Sequence, residues 1–188
     1  FPSTRLITGV FAGRQDQFKL HGVDSPYDSW LRRLVIGLEG KPAPWLQLNL
    51  LGGPETRRFS RGTPVGFDRD RVLLWLDSEA TITVGPRDAF TAVVRRFEQP
   101  AFTSQSVYED ITYEVTWRRK LTDRLTFATG FKAYGGDWPG PATREDWIFT
   151  PSAGLRYAAT PRWLVDVSYL AESAESRLPA TPGREYRR

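Results

Sequence analysis

The sequence contains no cysteine and no methionine, and only one histidine in 188 residues. Without cysteine there is no disulfide framework and no thiolate metal site. A lone imidazole leaves too few soft ligands for a zinc centre, so no metal is expected. The chain opens at Phe1 without an initiator methionine, and the expectation is a mature form or a fragment whose leader has been removed. No continuous apolar run reaches the length of about 18 residues that a membrane-crossing helix needs. Runs of basic residues are missing too: the net charge of +4 comes from dispersed arginines. Binding to nucleic acid is therefore not expected. No glycine-rich phosphate loop, calcium loop or zinc spacing is visible, and no cofactor is expected.

What the chain does have is alternation. In the segment from Val107 to Trp117 one parity carries Val107, Ile111, Tyr113, Val115 and Trp117, and the other carries Tyr108, Asp110, Thr112, Glu114 and Thr116. A period of two is the mark of a two-faced β-strand. Nine segments read this way: 5–14, 29–39, 45–51, 71–84, 89–97, 107–119, 125–134, 146–157 and 163–172. Four compact turns lie between them, centred on positions 42, 86, 122 and 160 and therefore 44, 36 and 38 residues apart. Each is rich in Pro, Gly, Asp or Thr, which preset turn dihedrals or bond their own backbone. Long polar connections alternate with the turns at 15–28, 52–70, 98–106, 135–145 and 173–188. Short turns at one end and long loops at the other, joining strands of about 9 to 11 residues, predict an antiparallel up-and-down transmembrane β-barrel.

The alternation also assigns faces. Leu34, Ile36 and Leu38, then Leu46, Leu48 and Leu50, Ala80, Ile82 and Val84, Leu125, Phe127 and Phe131, and Val165, Val167 and Tyr169 are predicted to meet lipid. Arg33, Glu39, Gln47, Asn49, Asp77, Glu79, Arg95, Asp110, Glu114, Arg118, Lys132, Arg156 and Asp166 are predicted to line the interior. Bases and acids on that list nearly balance, which predicts no strong ion selectivity. Trp45, Trp117, Tyr157 and Trp163 adjoin the tight turns, whereas Trp30, Tyr108 and Trp147 adjoin the long loops. Two aromatic girdles at the membrane interfaces are the expectation, since amphipathic rings favour the headgroup level. Pro151 and Trp75 do not fit: the first predicts a bulge or a strand start near Ser152, and the second sits on the polar parity; the first segment, 5–14, shows no clear apolar face at all.

Signs of catalysis are weak. His21 lies near Asp24 and Ser25 in the first long loop, but triads are assembled from distant positions on rigid elements. Carboxylate pairs such as Asp77 with Glu79, or Asp110 with Glu114, are better read as partners for Arg95, Arg118 and Arg156 on neighbouring strands. The second long connection carries Glu55, Arg57, Arg58, Arg61, Asp68, Arg69 and Asp70. It reads first as a solvated loop; guanidinium forks also suit phosphate, such as that of lipopolysaccharide.

The units YEVTWRRKLTDRLTFATGFKAYGG and DWIFTPSAGLRYAATPRWLVDVSYLAE, followed by GREYRR, resemble the C-terminal repeats of Gram-negative outer-membrane β-barrel proteins of the porin-like kind. The resemblance implies an outer-membrane location, contact with the bilayer and with lipopolysaccharide, and a passive pore or structural shell without enzymatic activity. It also implies a further strand with an aromatic end after GREYRR. Residues 1–188 are accordingly expected to form a single barrel domain lacking at least its last strand, because nine is an odd number and single-chain bacterial barrels have even counts. Two other readings fit the alternation. One is a soluble lipocalin-like barrel around a small apolar ligand, and the other is a barrel sheathing a protein partner such as a multihaem cytochrome.

Overall fold

The computed structural model describes residues 3–17, 22, 25–60, 62–100, 106–140, 143–178, 181–182 and 186–187. The alternating segments form strands: β1 (Thr4–Gln15), β2 (Ser29–Ala43), β3 (Leu46–Phe59), β4 (Asp70–Val84), β5 (Asp88–Pro100), β6 (Val107–Lys120), β7 (Leu125–Trp138) and β8 (Arg144–Thr160). Each pairs antiparallel with the next in chain order. Next come β9 (Trp163–Leu170) and β10 (Ser173–Leu178), which take successive stretches of one side of β8, 152–160 and then 145–149. Two short pieces, β11 (Thr181–Pro182) and β12 (Tyr186–Arg187), fold back along β10. The fold is thus all-β, antiparallel and up-and-down, in a single sheet.

The sheet does not close. Among the described residues β1 pairs only with β2, and β9 only with β8, so both outer edges are free. Both edge strands run from the tight-turn end to the long-loop end. A direct bond between them would therefore be a parallel ladder.

The turns form where the sequence places them, and repeat one device. Thr122 Oγ1 accepts from the backbone N–H groups of Arg124 and Leu125 at 3.2 and 3.0 Å. Thr160 Oγ1 does the same for Arg162 and Trp163 at 3.3 and 3.1 Å. A short hydroxyl side chain satisfies donors that the reversing backbone leaves open. Gly85, with φ +63°, supplies the left-handed residue of the β4–β5 turn.

Several boundaries differ from the sequence reading. β3 runs on to Phe59, through Gly52-Gly53-Pro54, where a loop was predicted. The β2–β3 ladder lapses opposite Gly53 and Pro54 and resumes in the same register at Arg33↔Glu55. Proline offers no N–H there, and a Cβ at Gly53 would overlap the Leu34 carbonyl oxygen, so this Gly-Pro pair serves close strand approach and not a turn. β7 likewise extends to Trp138, and β10 occupies part of the expected last loop. Pro151 stays in register opposite Phe131 on the β7 side, with no bulge or strand start. Its effect falls on the other side: Ala171 N–H reaches the Pro151 carbonyl at 3.2 Å, and the bond in return cannot form. That is where β9 ends and β10 begins.

Most of the exposed large apolar side chains lie on one face, among them Val10, Leu34, Ile36, Leu38, Ile82, Phe90, Val115, Phe131, Leu155, Val165 and Val167, while Phe11, Leu164 and Leu170 are exposed on the other. Buried apolar residues among those described are only Tyr27, Phe59, Phe67, Val107 and Ala174. Four of these, Tyr27, Phe59, Phe67 and Val107, form a small cluster at the long-loop end. Among the described residues, the middle of the sheet has no buried apolar core on either face.

Candidate functional site

The pairing register gathers the polar side chains on one face. Arg33 faces Glu55 across β2 and β3, and Glu39, Asn49 and Glu79 form a row across β2, β3 and β4. Asp77 stands opposite Arg95, Glu114 opposite Lys132, and Arg156 opposite Asp166. Gln47, Asp110 and Arg118 share the face through Thr81, Gly136 and Ala128. Besides Arg33–Glu55, three of the rows carry exposed ion pairs: Arg5–Glu39 at 2.8 Å, Asp77–Arg95 at 3.2 Å and Arg156–Asp166 at 2.8 Å. These pairs are well exposed and hold register more than they stabilise. Near the turn end, a cleft of about 370 Å³ is lined by Glu39, Lys41, Gln47, Asn49 and Glu79.

The long-loop end is different. Above the pair Leu76↔Arg96 the ladder between β4 and β5 stops. There the tip of the β5–β6 hairpin sets residues of its outward parity, Arg96, Glu98, Glu109 and Val107, against the inward residues Arg57, Phe59 and Arg71 of β3 and β4. Arg57 meets Glu55 at 2.8 Å and Glu98 at 3.3 Å. Arg71 bridges Glu98 at 3.2 Å and Glu109 at 2.7 Å, and Arg96 holds Glu109 at 2.8 Å. Arg33 binds the other oxygen of Glu55 and lies 4.3 Å from the ring centre of Trp75, which explains a tryptophan on the polar parity. Gln15 of β1 accepts from Arg57 at 2.8 Å. The aromatic lid of Tyr27, Phe59 and Phe67, ring centroids 5.2 and 4.9 Å apart, sits at this same end. The result is a stopper of paired charges over the inner face.

Within it, Glu55, Arg57 and Glu98 are almost fully buried. Removing one member of such a cluster leaves an uncompensated charge and costs about 3–5 kcal/mol. Both carboxylate oxygens of Glu98 lie at ion-pair distance from guanidiniums but lack an aligned hydrogen bond. Burial pushes the Glu98 carboxyl up to about 7, against the pull of Arg71 and Arg57 and helped by Glu109 and Glu55. Glu98 lies beyond the apolar outward series Phe90, Ala92 and Val94, near the long-loop end of its strand. A second polar cluster joins Asp110, Gln99, Tyr108 and Tyr134: Gln99 donates to Asp110 at 2.7 Å and to Tyr108 at 2.9 Å, and Tyr134 donates to Asp110 at 3.2 Å.

The aromatics divide. Trp45, Tyr157 and Trp163 are each exposed near the turn end of their strands. Trp117 donates to Asp88 at 2.9 Å and stacks on Phe90. Trp30 is exposed on the outer face at the loop end, and Trp147 lies flat over Gly135, where a Cβ would crowd its ring. Tyr108 departs from the expected girdle: it shares the inward face with Asp110 and stacks on Trp138 at 4.9 Å.

Glu55 and Arg57, read from sequence as part of a solvated loop, are buried strand residues. The signal was the alternation Glu55, Arg57, Phe59 continuing past Pro54. Arg71, Arg96, Glu98 and Glu109 were missed because their meeting depends on the ladder opening between β4 and β5. His21, Asp24 and Arg61 lie outside the described residues, so a His21 site has no geometry here; Ser25 donates its hydroxyl to Gln17 at 2.9 Å. No metal-binding cluster occurs among the described residues. No protein-family model, no curated protein and no solved structure matches the chain.

Proposed function

We propose that this chain is an outer-membrane β-barrel protein, or the part of one formed by these strands, acting as a membrane shell or narrow passive pore without enzymatic activity. The observation that carries the reading is the polarity of the two faces. Val10 is 82% exposed, Val167 65% and Tyr169 72%, while charged and amide side chains gather on the opposite face. Soluble monomers rarely show contiguous apolar patches beyond a few hundred Å². Here the apolar side chains run across the outer face from β1 to β9. A soluble lipocalin-like barrel would place them around a central ligand instead. The aromatics at the turn end, Trp45, Tyr157 and Trp163, suit one membrane interface. Because the charged cluster covers the inner face of β2–β6 at the long-loop end, a wide aqueous channel is the less favoured version of the reading.

Insertion can be tested directly by folding the full chain into phosphatidylcholine vesicles brominated at different depths. Trp45 and Trp163, isolated by replacing the other tryptophans with Phe, are expected to be quenched most by shallow bromines. A protein that stays monodisperse without detergent and is not quenched at any depth would defeat the membrane reading.

A further inference from the structure

We propose that the outer face of β1–β4, at its long-loop end, is a docking site for a phosphorylated amphiphile of the outer leaflet. Its phosphate would rest on Arg32 and Arg58 of that face and on Arg69 of the adjoining rim, and its acyl chains along Val10, Leu34 and Leu74. The inference rests on the membrane reading above.

Two clefts of about 390 and 420 Å³ adjoin here and share Trp30 and Arg58. Arg32, Thr56 and Val72 line the first, and Arg14, Ser60 and Arg69 the second. The register stacks the two rows: Arg14, Trp30, Arg58 and Asp70 above, and Ala12, Arg32, Thr56 and Val72 below. Nearby carboxylates are already engaged. Asp16 holds Arg14 at 2.6 Å, Asp70 holds Arg58 at 3.3 Å, and Asp28 accepts the Gln17 N–H at 2.9 Å. Guanidinium donors remain over. Arg32 has no ion pair among the described residues; Arg69 reaches only the Phe59 carbonyl, at 3.5 Å, and its Nε is buried with no hydrogen-bond partner. Planar forks with spare N–H groups match phosphate oxygens.

The position selects an amphiphile over a free anion. Directly below these guanidiniums the same face exposes Val10, Leu34 and Leu74, with Val72 level with Arg32, and Trp30 stands in the row above with Arg14 5.8 Å from its ring centre. The rim across the sheet has the opposite character. Asp137 and Glu145 face each other there, and Glu175 stands beside Trp147, with Arg177 opposite Glu145. An anionic headgroup is disfavoured at that rim, so the site is one-sided.

The test folds the full chain into phosphatidylcholine nanodiscs containing a minor fraction of diphosphoryl lipid A, then identifies the lipids retained after detergent exchange by mass spectrometry. Enrichment of lipid A over phosphatidylcholine is expected, and its loss by about tenfold or more in the triple variant Arg32→Gln/Arg58→Gln/Arg69→Gln. A turn-end variant, Arg87→Gln/Arg119→Gln/Arg162→Gln, is expected to keep the enrichment. Circular dichroism of each variant checks that the strands form. No enrichment in the wild type, or equal enrichment in the triple variant, would overturn the proposal. So would displacement of lipid A by inorganic phosphate alone, which would mean that the site takes a free anion. Failure to enter phosphatidylcholine discs at all would instead refute the membrane reading.

Discussion

At the scale of single residues, Glu98 has the largest consequence. Its carboxyl titrates near 7 in the folded chain, against 4.5 when free, because burial penalises the charge more than Arg71 and Arg57 offset it. Between those values the folded state holds a proton that the unfolded chain has lost. Stability from this source is therefore complete below about pH 4.5 and falls as pH rises through about 7. The wild type is expected to unfold at lower urea concentrations at pH 8 than at pH 5, and Glu98→Gln to flatten that slope. A variant with the wild-type pH dependence would show that another group is responsible. Little of this was legible in the sequence. Parity put Asp77, Arg95, Arg156 and Asp166 on a common face, and the register pairs them there, because a period of two needs only the strand itself. It gave Glu98 and Glu109 no inward role, because their outward parity meets β3 and β4 only where the β4–β5 ladder has opened. Tyr108 was misplaced for a related reason: nearness to a loop says nothing about face, and its parity did.

At the scale of elements, hydrophobic period and turn chemistry located every one of the nine predicted strands, and Thr122 and Thr160 fixed two of the turns. Ends were less legible wherever Gly or Pro sits inside a strand. Gly53 and Pro54 look like a turn in sequence, yet here they let two backbones approach. Pro151 looks like a strand breaker, yet it splits the partner strand instead of its own. That reading has a consequence. Pro151→Ala supplies the missing donor opposite Ala171, and a ladder bond is worth about 1 kcal/mol net. The variant is expected to join β9 and β10 into one continuous strand, seen as slower amide exchange at Ala171. Unchanged exchange there would mean that the interruption has another cause, such as the geometry of Ala171 and Glu172 themselves.

At the scale of the whole molecule, the two faces of the sheet differ in polarity, and a paired substitution tests what each of them meets. Val115 points outward in the middle of its strand, between Ala92 and Phe131 in the register; Asn49 points inward between Glu39 and Glu79. A lysine on the lipid side of a barrel costs about 2–4 kcal/mol near the midplane, whereas one on the inner side has water and carboxylates to meet. Val115→Lys is therefore expected to lower folding stability in phosphatidylcholine vesicles by about that amount, and Asn49→Lys to leave it nearly unchanged. In a soluble sheet the order reverses, because Val115→Lys would replace exposed apolar surface with charge and raise solubility at almost no cost. Urea titrations of both variants, followed by tryptophan emission in vesicles and in detergent-free buffer, distinguish the two outcomes. The free edges of β1 and β9 sharpen the contrast. In water, unpaired apolar strands invite edge-to-edge association, so the wild type is expected to aggregate without lipid, and Val115→Lys to reduce that aggregation while weakening insertion.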